Sequence, residues 1–169
     1  MALHLIIDGY NLIRQSPWLQ ELDAQGLETG REALLAILAN YRRARWPHKT
    51  TVVFDGWQGG GLKESRDRHQ GVTIVYSRRG EKADEVIKRL LTVERERGVV
   101  VTSDREIQDC AQRVGAAWIT APEFERRLAL AGGTIEDSEE PSPQKTPKKG
   151  AAHRLPKQQR RRQQRLKKL

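Results

Sequence analysis

Short runs of apolar residues alternate along this chain with segments whose apolar residues recur at helical spacing. The runs lie at residues 3–8, 51–55 and 99–103, with shorter ones at 72–76 and 116–119. Most are rich in Val or Ile and are followed by polar residues, a pattern typical of buried strands. Strands that alternate with helices are joined by crossover connections, which produce a mainly parallel sheet with helices on both faces. The sequence therefore predicts a three-layer α/β domain.

Helical spacing of apolar residues predicts four helices, at residues 34–41, 86–97, 103–115 and from 120 onward. Thr29 and Glu32 form a capping-box signature, which predicts where the first helix begins. The third is expected to begin at Ser103 and to end at Gly115, since glycine commonly follows the last turn of a helix.

The positive charge of the chain is concentrated near its C-terminal end. The net charge is +9, but 11 of the 31 Lys and Arg residues lie in residues 145–169, which contain no Asp or Glu. The remaining 144 residues hold 20 basic and 22 acidic residues and are nearly balanced. Blocks of like charge usually mark interaction segments, so an anionic polymer is the expected partner.

Composition divides the chain into three segments. Residues 1–132 are expected to form the folded domain. Residues 133–152 are acidic and then rich in Pro and Lys, which predicts a flexible linker. Residues 153–169 are expected to form a disordered basic tail. Three consecutive residues of that tail are candidate contacts to the anionic partner: Arg160, Arg161 and Arg162.

Several classes of protein are disfavoured by the sequence. No run approaches the roughly 18 apolar residues needed to span a bilayer, and the N-terminus lacks the features of a signal peptide. Cys110 is the only cysteine, which excludes a disulfide framework and a Cys-based zinc site. Neither a Gly-x-x-x-x-Gly-Lys phosphate loop nor a Gly-x-Ser-x-Gly motif is present. A cytoplasmic location is the simplest expectation.

Acidic residues follow three of the predicted strands. Asp8, Asp55 and Asp104 stand at or just after the ends of apolar runs. Because the carboxyl ends of parallel strands lie along one edge of a sheet, we expect these side chains to converge on one crevice. Acids at the start of the second predicted helix are expected to join them: Glu81, Asp84 and Glu85. Asn11 is a polar residue able to position Asp8 or to bind phosphate.

The chemistry of these acids favours a divalent metal ion. Converging carboxylates repel one another, and such a cluster persists chiefly when a cation neutralises it. A ligand set made only of oxygen atoms suits Mg²⁺ or Mn²⁺. Each acid alone also has a structural explanation, because Asp104 can cap a helix and Asp55 can form a turn with Gly56. It is the coincidence of several such acids that indicates a metal site.

Four short motifs resemble those of a known family: IDGYNLI at 7–13, VFDG at 53–56, GEKADE at 80–85 and VTSDR at 101–105. Their order and spacing are similar to those of the YacP-like branch of the NYN domains, relatives of the PIN-domain ribonucleases, over about residues 3–130. The resemblance implies a PIN-like fold and Mg²⁺- or Mn²⁺-dependent endonucleolytic cleavage of RNA. It also implies that Asp8, Asp84 and Asp104 are metal ligands, with Asn11 beside them.

The sequence departs from the family pattern at two positions. Glu85 stands where the family often has a second Asp, and Lys82 stands where a Thr is usual. The basic segment after about residue 140 lies outside the resemblance, so the resemblance implies nothing about its function.

Basic residues near the expected crevice are candidates for holding RNA. Arg and Lys supply most protein contacts to phosphate, and four of them flank the acidic motifs: Arg66, Arg68, Arg78 and Lys82. Trp57 is a candidate for stacking on an unpaired base. The tail contains no aromatic residue, so it is expected to add affinity for RNA, including ribosomal RNA, without reading bases.

The leading hypothesis is a metal-dependent endoribonuclease. The alternative is a non-catalytic protein that binds RNA or the ribosome and retains a PIN-like fold. Massed negative charge near phosphate argues against that alternative, because a simple RNA binder gains nothing from it. A DNA nuclease of the flap type is a third hypothesis, and the choice of RNA over DNA rests on the resemblance alone.

Overall fold

The structure, a computed structural model, describes residues 2–45, 47–56, 61–132 and 156–169. The strands are β1 (His4–Asp8), β2 (Lys49–Phe54), β3 (Ser65–His69), β4 (Val72–Tyr76), β5 (Gly98–Val101) and β6 (Ala117–Ile119). The helices are α1 (Gly9–Gln15), α2 (Pro17–Gln25), α3 (Leu27–Ala44), α4 (Ala83–Glu94), α5 (Arg105–Val114), α6 (Ala121–Gly132) and α7 (Lys157–Leu166). None of these helices is long and apolar enough to cross a lipid bilayer.

The six strands form one sheet in the order β3-β4-β2-β1-β5-β6. All neighbouring strands are parallel except β3, which is antiparallel to β4 at one edge. The chain passes from β1 outward through β2 to β3 and β4, and then crosses to β5 and β6 on the other side. The strand order therefore reverses between β1 and β5, and ligands of open parallel sheets commonly bind at such a point.

Successive residues of the central strands point to opposite faces of the sheet and supply two hydrophobic cores. In β1, Leu5 and Ile7 face the core that contains Leu12 of α1 and Phe124 of α6. Ile6 faces the other core, which α4 and α5 cover. All three β1 side chains are fully buried, and each burial contributes about 1.5–3 kcal/mol. The two cores confirm the predicted three-layer α/β fold.

Three elements lie where the apolar pattern indicates none. β3 has the sequence Ser-Arg-Asp-Arg-His and is largely exposed, because an edge strand on the solvent side needs no apolar face. α1 and α2 are only 7 and 9 residues long, too short for a clear periodicity. The predicted capping box is also wrong, because α3 begins at Leu27 with Gly26 as its N-cap and includes both Thr29 and Glu32.

The C-terminal segment differs from the expected disordered tail. Residues 157–166 form α7, and Leu166 is buried in the same core as Leu5 and Ile7. The Tyr41 hydroxyl donates to the Leu169 carbonyl, and Arg127 donates to the Leu166 carbonyl at 2.6 Å. A few leucines suffice to dock this helix on the domain, because hydrogen bonds from the domain add to the apolar contact. Residues 133–155, which include the predicted linker, lie outside the described residues.

Candidate functional site

The strand-end acids lie where the strand order reverses. Asp8 is the last residue of β1, and β5, its neighbour on one side, is followed three residues later by Asp104. Asp84 is in the first turn of α4, which follows β4. Three elements that are distant in sequence thus bring three aspartates to the carboxyl edge of the sheet.

Two of the aspartates also cap helices. Asp8 is the N-cap of α1, and its carboxylate accepts a hydrogen bond from the Asn11 N–H at 3.4 Å. Asp104 is the N-cap of α5 and accepts from the Glu106 N–H at 2.7 Å. The N-terminus of a helix favours negative charge, which offsets part of the repulsion between the carboxylates. The helix begins at Arg105, and its N-cap is Asp104 and not, as predicted, Ser103.

The segment that carries Asp104 is fixed by side chains on three sides. The Asn11 oxygen accepts from the Ser103 N–H at 3.0 Å, and the Gln108 side chain donates to the Thr102 carbonyl at 3.0 Å. The Ser103 hydroxyl accepts from the Ala121 N–H at 3.3 Å. These bonds hold the loop between β5 and α5 against both α1 and α6, so the position of Asp104 is determined by the fold.

The electrostatics of the group centre on Asp8. Its side chain is 8 % exposed, and burial raises its pKa from 3.8 to about 7, with the charges of Asp84 and Asp104 acting in the same direction. Burial and the charge of Asp104 also raise the pKa of Asp84, against the opposing effect of Lys88 and Lys82. The three aspartates are therefore close enough for their charges to interact.

The group fits a hard divalent cation in charge and in ligand type. Its donors are carboxylate oxygens, which Mg²⁺ and Mn²⁺ prefer, and a cation would relieve the cost of ionising Asp8 in a buried position. Across the described ranges, no three His, Cys, Asp or Glu side chains form a ready-made cage for an ion. A cation between Asp8, Asp84 and Asp104 would therefore keep water in its shell, as Mg²⁺ commonly does.

Two of the other predicted metal ligands are held in ion pairs, and the third, Asp55, follows β2 at the same edge of the sheet. Glu81 pairs with Arg89 and, at 3.6 Å, with Arg78, and its pKa is lowered chiefly by its hydrogen bond to Arg89. Glu85 is exposed and pairs with Lys88 at 3.3 Å. Asp55 follows β2, is half-buried, and is not among the main charges that shift the pKa of Asp8 or Asp84.

The predicted RNA contacts near the crevice occupy different environments. Arg66 pairs with Glu64 at 3.0 Å and Arg78 with Glu81, so both belong to a network of surface ion pairs. Arg68 is exposed on β3. Lys82 is exposed at the N-cap of α4 and acts electrostatically on Asp84. Of these four, Lys82 has the clearest relation to the carboxylates. Trp57 lies outside the described residues.

The three arginines of the basic segment are not equivalent. Arg162 is half-buried, with its guanidinium 3.6 Å from the Trp118 ring centre and its Nε donating to the Trp118 carbonyl at 3.1 Å. Arg161 is exposed and pairs with Glu96 at 3.4 Å. Arg160 is exposed. Arg162 therefore anchors α7, and the outer face of the helix carries the solvent-facing charge.

Residues that the sequence reasoning missed also lie at this edge. Lys88 donates to Glu106 at 2.5 Å and acts electrostatically on Asp84, and Arg14 acts on Asp8. Lys88 stands four positions after Asp84 on one helix, and residues at that spacing lie on the same face. That spacing could have identified Lys88 from the sequence as a neighbour of Asp84.

Comparison with known proteins agrees with this arrangement. The model of the YacP-like NYN domain matches residues 5–168, which includes α7 as well as the carboxyl edge of the sheet. The resemblance found in the motifs therefore extends beyond residue 130. A curated relative, "Uncharacterized protein YacP" of Bacillus subtilis (strain 168), is 34 % identical over 86 residues. That match covers 51 % of this chain and 49 % of the relative, so the chain spans about half the length of the curated relative it matches.

Two crystal structures of Rae1 (YacP) from Bacillus subtilis are also similar. The structure of a mutant form superposes with a TM-score of 0.65 and 27 % identity, over 77 % of each chain. The other structure gives a TM-score of 0.63 and 29 % identity, over 78 % of this chain and 76 % of that one. The shared architecture is the PIN-like nuclease type of fold that the motifs imply. The chain belongs to the YacP-like NYN domain family.

Proposed function

We propose that this protein is an endoribonuclease that cleaves RNA with the help of Mg²⁺ or Mn²⁺. The observation that carries the proposal is the convergence of Asp8, Asp84 and Asp104 from β1, α4 and the loop after β5, with the pKa of buried Asp8 raised to about 7. Helix capping by Asp8 and Asp104 does not account for their convergence on Asp84, because each carboxylate makes the others harder to ionise. Membership of a PIN-like nuclease family supports the same conclusion.

In this proposal the three aspartates hold the metal ion and Asn11 holds their geometry. Bound Mg²⁺ or Mn²⁺ supplies a more acidic water for attack on the phosphodiester and stabilises charge on the leaving oxygen. Lys82 and Lys88 stand on the Asp84 side of the group, where they offset part of its charge and favour the approach of a phosphate. The buried position of Asp8 keeps its carboxylate away from competing solvent.

The exposed basic face of α7 would add affinity for RNA without selecting a sequence. Single-stranded and ribosome-associated RNA, including messenger RNA, are the substrates that we propose. Such charge-driven binding weakens steeply with salt, because each neutralised phosphate releases counterions.

The test is cleavage of an end-labelled single-stranded RNA by the full chain with Mg²⁺, Mn²⁺ or EDTA. We expect metal-dependent cleavage that leaves 3′-hydroxyl and 5′-phosphate ends, and its loss in Asp8→Asn and Asp104→Asn. Asp109→Asn, a change of the same kind on the outer side of α5, is the matched control and should cleave like the wild type.

Two results would contradict the proposal. Equal cleavage by all four proteins would indicate a contaminant or a site elsewhere. Absence of cleavage with tight RNA binding retained, also after ribosomes are added, would favour a non-catalytic RNA-binding protein. The same assay on single-stranded DNA decides between RNA and DNA as the substrate.

A further inference from the structure

A small aromatic cluster lies beside the carboxylates at the same edge of the sheet. Tyr10 follows Asp8 by two residues, in the first turn of α1. Phe54 ends β2 one residue beyond the partner of Asp8 in the β1–β2 register, and Tyr76 pairs with Phe54 in β4. Neighbouring strands are about 4.8 Å apart, so Tyr76 stands about 10 Å from the end of β1.

The rings of this cluster are arranged around Phe54. The Tyr10 and Phe54 ring centres are 5.2 Å apart at 63°, an edge-to-face contact, whereas Phe54 and Tyr76 stack at 5.8 Å and 25°. Phe54 is fully buried, while both tyrosines are half-buried and keep accessible surface. Phe54 is therefore the floor of the cluster, and the tyrosines form its rim.

A planar cation completes the rim. The guanidinium of Arg31, on α3, lies 5.6 Å from the ring centre of Tyr76 and is near enough to Tyr10 to act on it electrostatically. Among the described residues, Arg31 forms no salt bridge with an Asp or Glu. If this cluster served only core packing, an apolar side chain in place of Arg31 would serve as well, because no carboxylate within the described ranges forms a salt bridge with it. Arg31, Tyr10 and Tyr76 are called the aromatic rim below.

The position of the aromatic rim relative to the carboxylates is fixed by Gly9. A Cβ atom on Gly9 would lie 2.4 Å from a ring atom of Phe54, closer than atoms can approach. Only glycine lets the chain between Asp8 and Tyr10 pass this near to Phe54. The carboxylates and the aromatic rim thus form one unit whose spacing the fold sets.

We propose that the aromatic rim is a subsite for one unpaired nucleobase of a single-stranded RNA whose backbone lies at the carboxylates, an inference that rests on the nuclease function proposed above. Aromatic side chains and Arg planes are the groups on which proteins stack splayed-out bases. A base inside a duplex is already stacked on its neighbours and does not fit. Arg31 would also meet the adjacent phosphate, since no carboxylate of the described chain forms a salt bridge with it.

The test measures binding, so that it does not depend on cleavage. A short labelled single-stranded RNA and a series of copies, each lacking the base at one position, are titrated with the full chain in EDTA. We expect one abasic position to weaken binding by about 5- to 150-fold, the range for one stacked base. We call the ratio of the two dissociation constants, abasic over intact RNA, the abasic penalty. Arg31→Ala and Tyr10→Leu should weaken binding of the intact RNA and reduce the abasic penalty toward 1. Tyr10→Phe, which keeps the ring, should retain it.

Arg43→Ala is the matched control, because Arg43 is an exposed arginine on the same helix. It should lower affinity slightly and keep the full penalty. The subsite is refuted if the wild type binds no single-stranded RNA, if no abasic position matters, or if folded Arg31→Ala and Tyr10→Leu proteins keep the penalty. A wild type that shows the penalty but never cleaves RNA would refute the nuclease proposal and leave the subsite standing.

Discussion

The side-chain oxygen of Asn11 accepts a hydrogen bond from the backbone N–H of Ser103 at 3.0 Å. The backbone N–H of Asn11 donates to Asp8 at 3.4 Å, and Ser103 directly precedes Asp104. One residue therefore connects the ends of β1 and β5 and sets the separation of two of the three aspartates. Neither contact involves the side-chain Nδ2 of Asn11, so the role that the structure gives Asn11 is to position other groups.

Asn11→Ala should lower activity without abolishing it. The change leaves the partly buried Ser103 N–H without its acceptor, which costs about 1–3 kcal/mol of stability. It also loosens Asp104, and loss of a group that orients metal ligands typically costs about 10- to 100-fold in activity. Steady-state kinetics should show the effect in kcat more than in KM. Asn40→Ala, at an exposed position of α3, is the control, and equal effects of both changes would contradict the positioning role.

Asp8→Asn should stabilise the protein at pH 8 when divalent cations are absent. The pKa of Asp8 is raised to about 7 in the fold, against 3.8 ordinarily, so the folded state favours the neutral carboxyl group. The wild type therefore loses stability from this group as the pH rises from about 4 to 7. Below pH 4 Asp8 is protonated in both states and the contribution vanishes. One pKa unit corresponds to about 1.4 kcal/mol. The raised pKa of Asp8 therefore lowers the unfolding free energy of the wild type above pH 7 by an amount on the order of 4 kcal/mol.

Denaturant unfolding at pH 8 and pH 4 in EDTA measures this difference. We expect Asp8→Asn to exceed the wild type in unfolding free energy at pH 8 and to match it at pH 4. Asp109→Asn, on the outer side of α5, should match the wild type at both pH values. Addition of Mg²⁺ or Mn²⁺ at pH 8 should raise the stability of the wild type and much less that of Asp8→Asn, since only a ligand of the folded state stabilises it. A wild type that is indifferent to both ions would argue against the metal site.

The sequence indicated the aspartates of the candidate site but not which neighbouring acids stand with them. Asp8 and Asp104 follow apolar strands, so the parallel topology alone brings them to one edge. Glu85 adjoins Asp84, but consecutive residues of a helix point about 100° apart and do not face the same site. Glu81 precedes α4 and forms an ion pair with Arg89 of that helix. Adjacency in sequence was thus a poor guide to which carboxylates meet.

The docking of α7 could not be predicted from apolar periodicity. Its contact with the domain depends on Leu166 and on a cation stacked over an aromatic ring, Arg162 on Trp118. Nothing in a run of Arg and Gln marks one arginine as an anchor, because the partner ring lies 44 residues away in the chain. The aromatic rim was missed for the same reason, since Tyr10, Arg31 and Tyr76 are brought together by the sheet and α3.

Arg162→Ala should destabilise the protein, and Lys157→Ala should not. Both remove one positive charge from α7, but only Arg162 stacks on Trp118 and donates to its carbonyl. A partly desolvated cation–π contact is worth about 2 kcal/mol and the hydrogen bond about 1 kcal/mol. Denaturant unfolding should therefore separate the two variants by about 2–3 kcal/mol. Limited proteolysis should also release the C-terminal segment sooner from Arg162→Ala, and equal behaviour would show that α7 does not depend on this anchor.

Replacing Lys157, Lys167 and Lys168 together by Gln should weaken RNA binding without destabilising the fold. All three side chains are exposed, and among the described residues none of them forms a salt bridge. Each phosphate neutralised on a single strand contributes about 0.7 to the slope of log affinity against log salt. If all three lysines contact phosphate, the slope should become less steep by about 2, while metal-dependent cleavage at low salt persists because the aspartates are untouched.

A salt series of dissociation constants for one single-stranded RNA measures that slope. The comparison protein is Lys49→Gln combined with Glu28→Gln and Arg43→Gln, which changes exposed positions of β2 and α3 and lowers the net charge by one. Its slope should remain near that of the wild type. An unchanged slope in the variant that lacks the three lysines would mean that the C-terminal segment 157–168 does not contact RNA. Because the variant leaves Arg162 on Trp118 and Leu166 in the core, a change of slope would reflect the charge of the C-terminal segment rather than the undocking of α7.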